Sequence, residues 1–232
     1  MNKQQKFEQR EMKIITSTMD LLKNQGFVEL KMAQVASASK CSMGAVYSHF
    51  TCKEELLLSC SITLNYKQLS MIKQSERYML SDIKQLILFA MIFWEQNIKH
   101  PELYEIMTLS NLPSMWRKVS AEKLSKLKSC DSLMEEALRL PIVRMLNIDI
   151  SDQNSAMSFM GGYFAMIAGL LSFHSSGYEF NASNEDFNFL KDNLTRYFLG
   201  WSIDIQCDID EWNKLILIAK DIVIDVDDKE LN

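Results

Sequence analysis

Residues 42 to 56 read Ser-Met-Gly-Ala-Val-Tyr-Ser-His-Phe-Thr-Cys-Lys-Glu-Glu-Leu, and they limit what the chain can fold into more than any other stretch. Ser42 has the right chemistry to cap a short helix that Phe50 closes. Val46 and Phe50 lie four residues apart, so they share one face and would hold that helix on a small core. Tyr47 and His49 project elsewhere with polar tips. Thr51 and Glu54 then have capping-box spacing for a following helix that opens with Lys53. A short helix ending against the positive end of a longer one can lie in a DNA major groove while its end and the next helix's start hold phosphates.

The rest of the chain reads as helix. Gly (7) and Pro (3) are scarce among 232 residues and the apolar residues recur at helical spacing, so the expected fold class is all-α. A first helix is expected over 7–25, with Gly26 as a left-handed cap and apolar Phe27 beyond it. A second is expected over 32–39, the third from Ser42, and a fourth from Lys53 to about 77. Further helices are expected at 81–100, 101–111, 114–140, 151–174, 183–203 and 209–224. Pro101, Pro113 and Pro141 mark breaks or first turns, Ser81, Ser151 and Ser183 stand as N-caps, and Ser175-Ser176-Gly177 is a stop. The expected division is a three-helix N-terminal domain over 1–55 and a helical domain over 56–232.

Charge agrees with this division. The net charge is −5, yet residues 1–60 hold eight Lys/Arg against six Asp/Glu, a mildly basic head on an acidic body. The five cysteines form no C-x-x-C pair and are odd in number, which argues against a disulfide framework or zinc site and for a reducing cytoplasm. No apolar signal-peptide core occurs near Met1. Residues 153–178 carry no formal charge. Within them the almost wholly apolar run 156–173 falls at the edge of the length needed to span a bilayer but lacks a basic flank, so a helix buried on two sides is the simpler expectation. No nucleophile elbow, phosphate loop or H-E-x-x-H motif is present, and His49, His100 and His174 are far apart, so no catalytic residues, metal or cofactor are expected.

Gly26-Phe27, Val35-Ala36, Ser42, Gly44, Val46-Tyr47, His49-Phe50 and Lys53-Glu54-Glu55-Leu56 together resemble the N-terminal domain of TetR-family transcriptional regulators, over about residues 10–60. The resemblance implies a homodimeric, cytoplasmic regulator of a palindromic DNA operator, most commonly a repressor released by a small effector. It implies that Tyr47, His49 and Lys53 grip the DNA backbone, that Ser42, Met43, Gly44 and Ala45 face the bases, and that Lys31, at the start of the second helix, is a further DNA contact. Lys31 stands where the family usually has a Thr cap, Ala33 and Met43 where it often has polar or basic residues, and Lys40 where it has a turn glycine. Base reading would therefore lean on thymine methyl groups and DNA shape rather than on guanine-reading cations.

The resemblance also implies dimerisation through the last two core helices. Gly161, Gly162 and Gly169 on one, and Leu190, Leu194, Tyr197 and Trp201 on the other, are the candidate interface residues. Met91, Trp94, Tyr104, Met107, Trp116, Met134, Phe159, Tyr163 and Met166 are candidates to line a pocket for an unidentified apolar or amphipathic effector. Two alternatives stay open: a regulator without effector that recruits a protein partner, and redox sensing at Cys52, whose thiol stands beside Lys53.

Overall fold

The computed structural model describes residues 2–176 and 187–230. Gly177 and Ser183 lie outside the described residues. The helices are α1 (Lys3–Leu22), α2 (Met32–Ala38), α3 (Met43–His49), α4 (Lys53–Ser75), α5 (Asp82–Lys99), α6 (Pro101–Ser110), α7 (Pro113–Trp116), α8 (Ala121–Leu146), α9 (Gln153–Ser175), α10 (Phe187–Gly200) and α11 (Ile209–Glu230). The fold is all-α, and no strand occurs among the described residues.

Two compact units are present. One comprises residues 1–66 and 100–132, the other 67–99 and 133–232. They do not follow the division expected after residue 55, because α4 and α8 each run through both. In the first unit Ile14, Ile15 and Leu22 of α1, Val35 of α2, Val46 and Phe50 around α3, and Leu56, Leu57 and Cys60 of α4 form one core, joined by Leu103 and Ile106 of α6 and Met115 of α7. In the second, α5 is the central helix, buried on nearly every side from Leu86 to Asn97, with α9, α10 and α11 packed against it. Two of its buried amides donate within the unit, Asn97 to the Phe93 carbonyl at 2.7 Å and Gln68 to Gln96 at 3.4 Å, while the Asn97 side-chain oxygen has no partner among the described residues.

Several helix ends differ from expectation. Helix α1 starts at Lys3, four residues early, because Asn2 caps it and Gln5 reaches back to the Asn2 N–H. It stops at Leu22 with Lys23 still right-handed, and Gly26 is not in the left-handed region, so it is not the expected cap. The Thr51 N–H and hydroxyl both donate to Glu55 at 2.8 Å, so Glu55 rather than Glu54 closes the start of α4. The helix expected over 114–140 is two, with a break at 117–120. Pro141 lies inside α8 and does not end it.

Among the described residues, three α-helices close with residues other than glycine in the left-handed region, Lys40 (φ 53°) after α2, Asn147 (φ 52°) after α8 and Ser202 (φ 59°) after α10, and Met79 (φ 46°) closes the short 3-10 turn after α4. Lys40, Asn147 and Ser202 make the same paired turn. After α2, Cys41 N–H reaches the Ala36 carbonyl at 2.9 Å and Lys40 N–H the Ser37 carbonyl at 3.1 Å. A β-carbon in that conformation costs about 1 kcal/mol. Lys40→Gly is therefore expected to stabilise the chain by about 1 kcal/mol in urea denaturation, and an unchanged midpoint would show that the turn is not strained.

Candidate nucleic-acid interface

Helix α3 is built to present one face and bury the other. The Ser42 hydroxyl accepts the Ala45 N–H at 3.1 Å, while Val46 and Phe50 are wholly buried and fix the rotation of the helix. Ser42, Met43 (40% exposed), Gly44, Tyr47 (48% exposed) and Ser48 then face outward, with Ala45 half-buried. Nothing lies within 4 Å of where a Gly44 β-carbon would be, so a neighbouring surface can approach the backbone there. Gln34 and Ser37 of α2 are exposed alongside. They escaped the sequence reading because nothing in their spacing separates them from any solvated helix face.

The other expected contacts are less open. Lys31 is exposed but has no acceptor with which to cap α2. Gln34 instead accepts the Lys31 N–H at 2.8 Å. Lys53 spends two of its protons on the carbonyls of Phe27 and Val28, both at 3.2 Å, and sits 4.6 Å from the centre of the Phe27 ring. His49 does not project: it is 8% exposed, because Phe7 of α1 lies on its ring at 3.9 Å between centroids. Neither imidazole nitrogen has a hydrogen-bond partner among the described residues. Burial lowers the imidazole pKa, Glu11 opposes that and Arg10 and Lys123 add to it, so the ring is neutral at pH 7.

Behind α3, the start of α4 is tied to the segment leading into α8. Glu54 pairs with Lys118 at 2.6 Å, Glu55 accepts the Ser120 N–H at 3.3 Å, and the Cys52 thiol donates to the Lys118 carbonyl at 3.3 Å. Lys123 pairs with Glu11 at 2.5 Å and lies 5.0 Å from the centre of the Phe50 ring. Burial alone would raise the Glu55 pKa, yet hydrogen bonds from Ser120 and Thr51 outweigh it and hold the carboxyl at about 2.

The pocket candidates divide between the units. Tyr104, Met107 and Trp116 belong to the first, where the Trp116 indole donates to the Ser110 carbonyl at 2.8 Å. Met91, Trp94, Met134, Phe159, Tyr163 and Met166 belong to the second. There Met91, Trp94, Phe159 and Tyr163 are buried packing, and the Tyr163 hydroxyl is held by the Leu86 carbonyl at 2.5 Å. A groove of about 260 Å³ in the first unit, between α1, α4 and α8, is lined by Met12, Ile15, Ile62 and Tyr66 and by none of the nine candidates.

Among the dimer candidates, Leu190 and Leu194 are fully buried within one protomer and cannot reach a partner. Gly162 is also used internally, since a β-carbon there would meet the Tyr197 hydroxyl at 2.7 Å. That hydroxyl donates to the Phe159 carbonyl at 2.5 Å, and the Trp201 ring packs edge-on to Phe159. Gly161 and Gly169 have open space around them. Helix α9 buries Ala156, Phe159, Met160, Tyr163, Ile167, Leu170 and Leu171 on one face, while uncharged Met157, Ser158, Gly161, Ala165 and Ser172 are exposed on the other. It is long and apolar enough to cross a membrane by length and composition, and within the protomer it is buried on one side only.

No curated protein sequence matches the chain. The model of the family described as "Bacterial regulatory proteins, tetR family" matches residues 14–60. A TetR-family transcriptional regulator from Bordetella parapertussis 12822 superposes with a TM-score of 0.57 at 15% identity, over 81% of this chain and 93% of that one. The transcriptional regulator FadR from Bacillus subtilis, solved with stearoyl-CoA, gives 0.56 at 12% identity, over 82% and 95%. RolR, solved with resorcinol, gives 0.56 at 15% identity, over 94% and 96%. These structures share the fold, and the family match spans the helix-turn-helix from Ile14 into α4. Residues 14–60 thus carry the N-terminal domain of the tetR family of bacterial regulatory proteins, and the chain as a whole has the fold of solved TetR-family regulators.

Proposed function

We propose that the protein is a homodimeric, cytoplasmic repressor that binds a palindromic operator and leaves it when a small apolar or amphipathic compound binds. The observation that carries the DNA half is the open face of α3, with Ser42, Met43, Gly44 and Tyr47 outward and Val46 and Phe50 locked beneath. Met43 and Ala45 offer methyl groups to thymine, and Tyr47 offers a hydroxyl to a phosphate. Lys53 has one proton left for the backbone. His49 joins only if the Phe7 ring moves aside. Neutral His49 then offers a single N–H donor and no charge.

The effector half is supported by the stearoyl-CoA and resorcinol complexes of FadR and RolR, and by the continuity of α4 and α8. The ties from Glu54, Glu55 and Lys123 couple the start of α8 to α3 and α4 inside one compact unit. The same two helices continue into the other unit, so a compound that shifts them there would be felt at the recognition helix. Such coupling is typically about 1–3 kcal/mol.

The test is fluorescence anisotropy on a selected operator at fixed salt. Tyr47→Ala is expected to weaken binding roughly tenfold on every sequence, as a lost phosphate contact does, whereas Met43→Ala should lose preference at one base position. Because both side chains are exposed, folding should be unchanged. Full affinity in both variants would remove α3 from the interface.

A further inference from the structure

The turns of α1 that precede the family match carry Lys3, Lys6, Arg10 and Lys13, which fall within an arc of about 80° of the helix circumference. All four are exposed, and none makes an ion pair among the described residues. The acidic side chains of α1 are engaged elsewhere: Glu8 accepts from Gln4, Glu11 pairs with Lys123 and Asp20 with Lys23. Half of the eight cations in residues 1–60 thus stand on one unshielded stripe about 15 Å long.

Local helix physics disfavours this stripe. Lys3 and Lys6 place positive charge at the positive end of the helix dipole, and the first turn has no acid to offset it. Lys6 and Arg10 repel at i,i+4, as do Lys3 with Lys6 and Arg10 with Lys13 at i,i+3. The reciprocal Asn2–Gln5 cap nevertheless keeps the segment helical to its tip. Phe7, on the border of the stripe, stacks on His49 at the end of α3, so the stripe is fastened beside the recognition helix. A row of cations that costs its own helix stability and makes no ion pair among the described residues matches an anionic surface outside it.

We propose that Lys3, Lys6, Arg10 and Lys13 form a second phosphate-binding ridge, which follows the DNA backbone flanking the segment read by α3. This rests on the DNA-binding reading and adds a sequence-independent grip to it. The ridge raises affinity for all DNA equally and lengthens the contacted site without adding base discrimination.

The experiment titrates the full chain against a labelled random-sequence duplex of about 40 base pairs at several salt concentrations between about 50 and 200 mM. Changing all four residues to Gln, a good helix former, is expected to reduce the slope of log K against log salt by about 2–4, at about 0.9 per lost phosphate contact. Affinity should fall roughly tenfold or more at the upper salt limit, by the same factor for a selected operator. The charge-preserving K3R/K6R/K13R variant should keep the wild-type slope, which separates charge from folding. A slope change below about 1 in the Gln variant, with wild-type binding intact, overturns the ridge alone. Absence of wild-type binding at low salt overturns both readings.

Discussion

Glu55→Ala is expected to destabilise the N-terminal unit by about 2–4 kcal/mol. One nearly buried carboxylate accepts the N–H and hydroxyl of Thr51 and the N–H of Ser120. Its removal leaves those donors to compete for water at a partly covered site, and it unties the turn between α3 and α4 from the start of α8. The wild-type acid response should carry the same signature. The Glu55 pKa is depressed on folding from an ordinary 4.5 to about 2, so its contribution is fully present above about pH 4.5 and is lost as pH falls toward 2. That linkage amounts to about 3 kcal/mol. Urea denaturation at pH 7 and pH 3 should therefore show a smaller pH dependence in Glu55→Ala and in Glu55→Gln than in wild type. Equal pH dependence in all three proteins would mean that another carboxylate governs the acid limb. Tyr47→Ala, by contrast, should leave these curves unmoved, since its side chain supports nothing in the core.

The helices and the recognition segment were legible because their signals are local. Ser42 capping, the Val46–Phe50 pair and helical periodicity depend on residues within one or two turns of each other, and α3 formed as they dictate. Helix ends were harder to read because this chain seldom uses glycine to stop a helix. Lys40, Asn147 and Ser202 take left-handed positions that composition does not mark, while Gly26, which looked like a cap, is not one. Long-range facts were illegible for a different reason. That Phe7 would cover His49 depends on how α1 packs against the end of α3, two elements further along the chain. That Glu55 rather than Glu54 would hold the turn depends on Ser120, 65 residues away. Likewise, an apolar stripe on α10 is the same in sequence whether it faces its own chain or a partner. The complete burial of Leu190 and Leu194 assigns it to its own chain.

In the proposed dimer that reassignment makes the outer face of α9 the candidate surface for the two-fold partner, and adjacent glycines give it a clean test. Gly161→Arg is expected to convert dimer to monomer and to weaken operator binding by roughly 10²–10⁴-fold, the gain normally obtained when a second reading head binds intramolecularly. The protomer itself should tolerate the change, because nothing lies within 4 Å of the new β-carbon and Arg favours helix over Gly by several tenths of a kcal/mol. Gly162→Ala is the matched opposite. Its β-carbon would fall 2.7 Å from a Tyr197 hydroxyl that the Phe159 carbonyl holds in place. It should therefore lower stability by about 1–3 kcal/mol through overpacking while leaving the association constant of the folded chains nearly unchanged. Sedimentation velocity with thermal denaturation on both variants separates the effects. A Gly161→Arg protein that remains a dimer with full operator affinity would move the interface away from α9. In that case the uncharged exposed row of Met157, Ser158, Gly161, Ala165 and Ser172 would have no role in assembly, and the apolar character of this helix would need another cause.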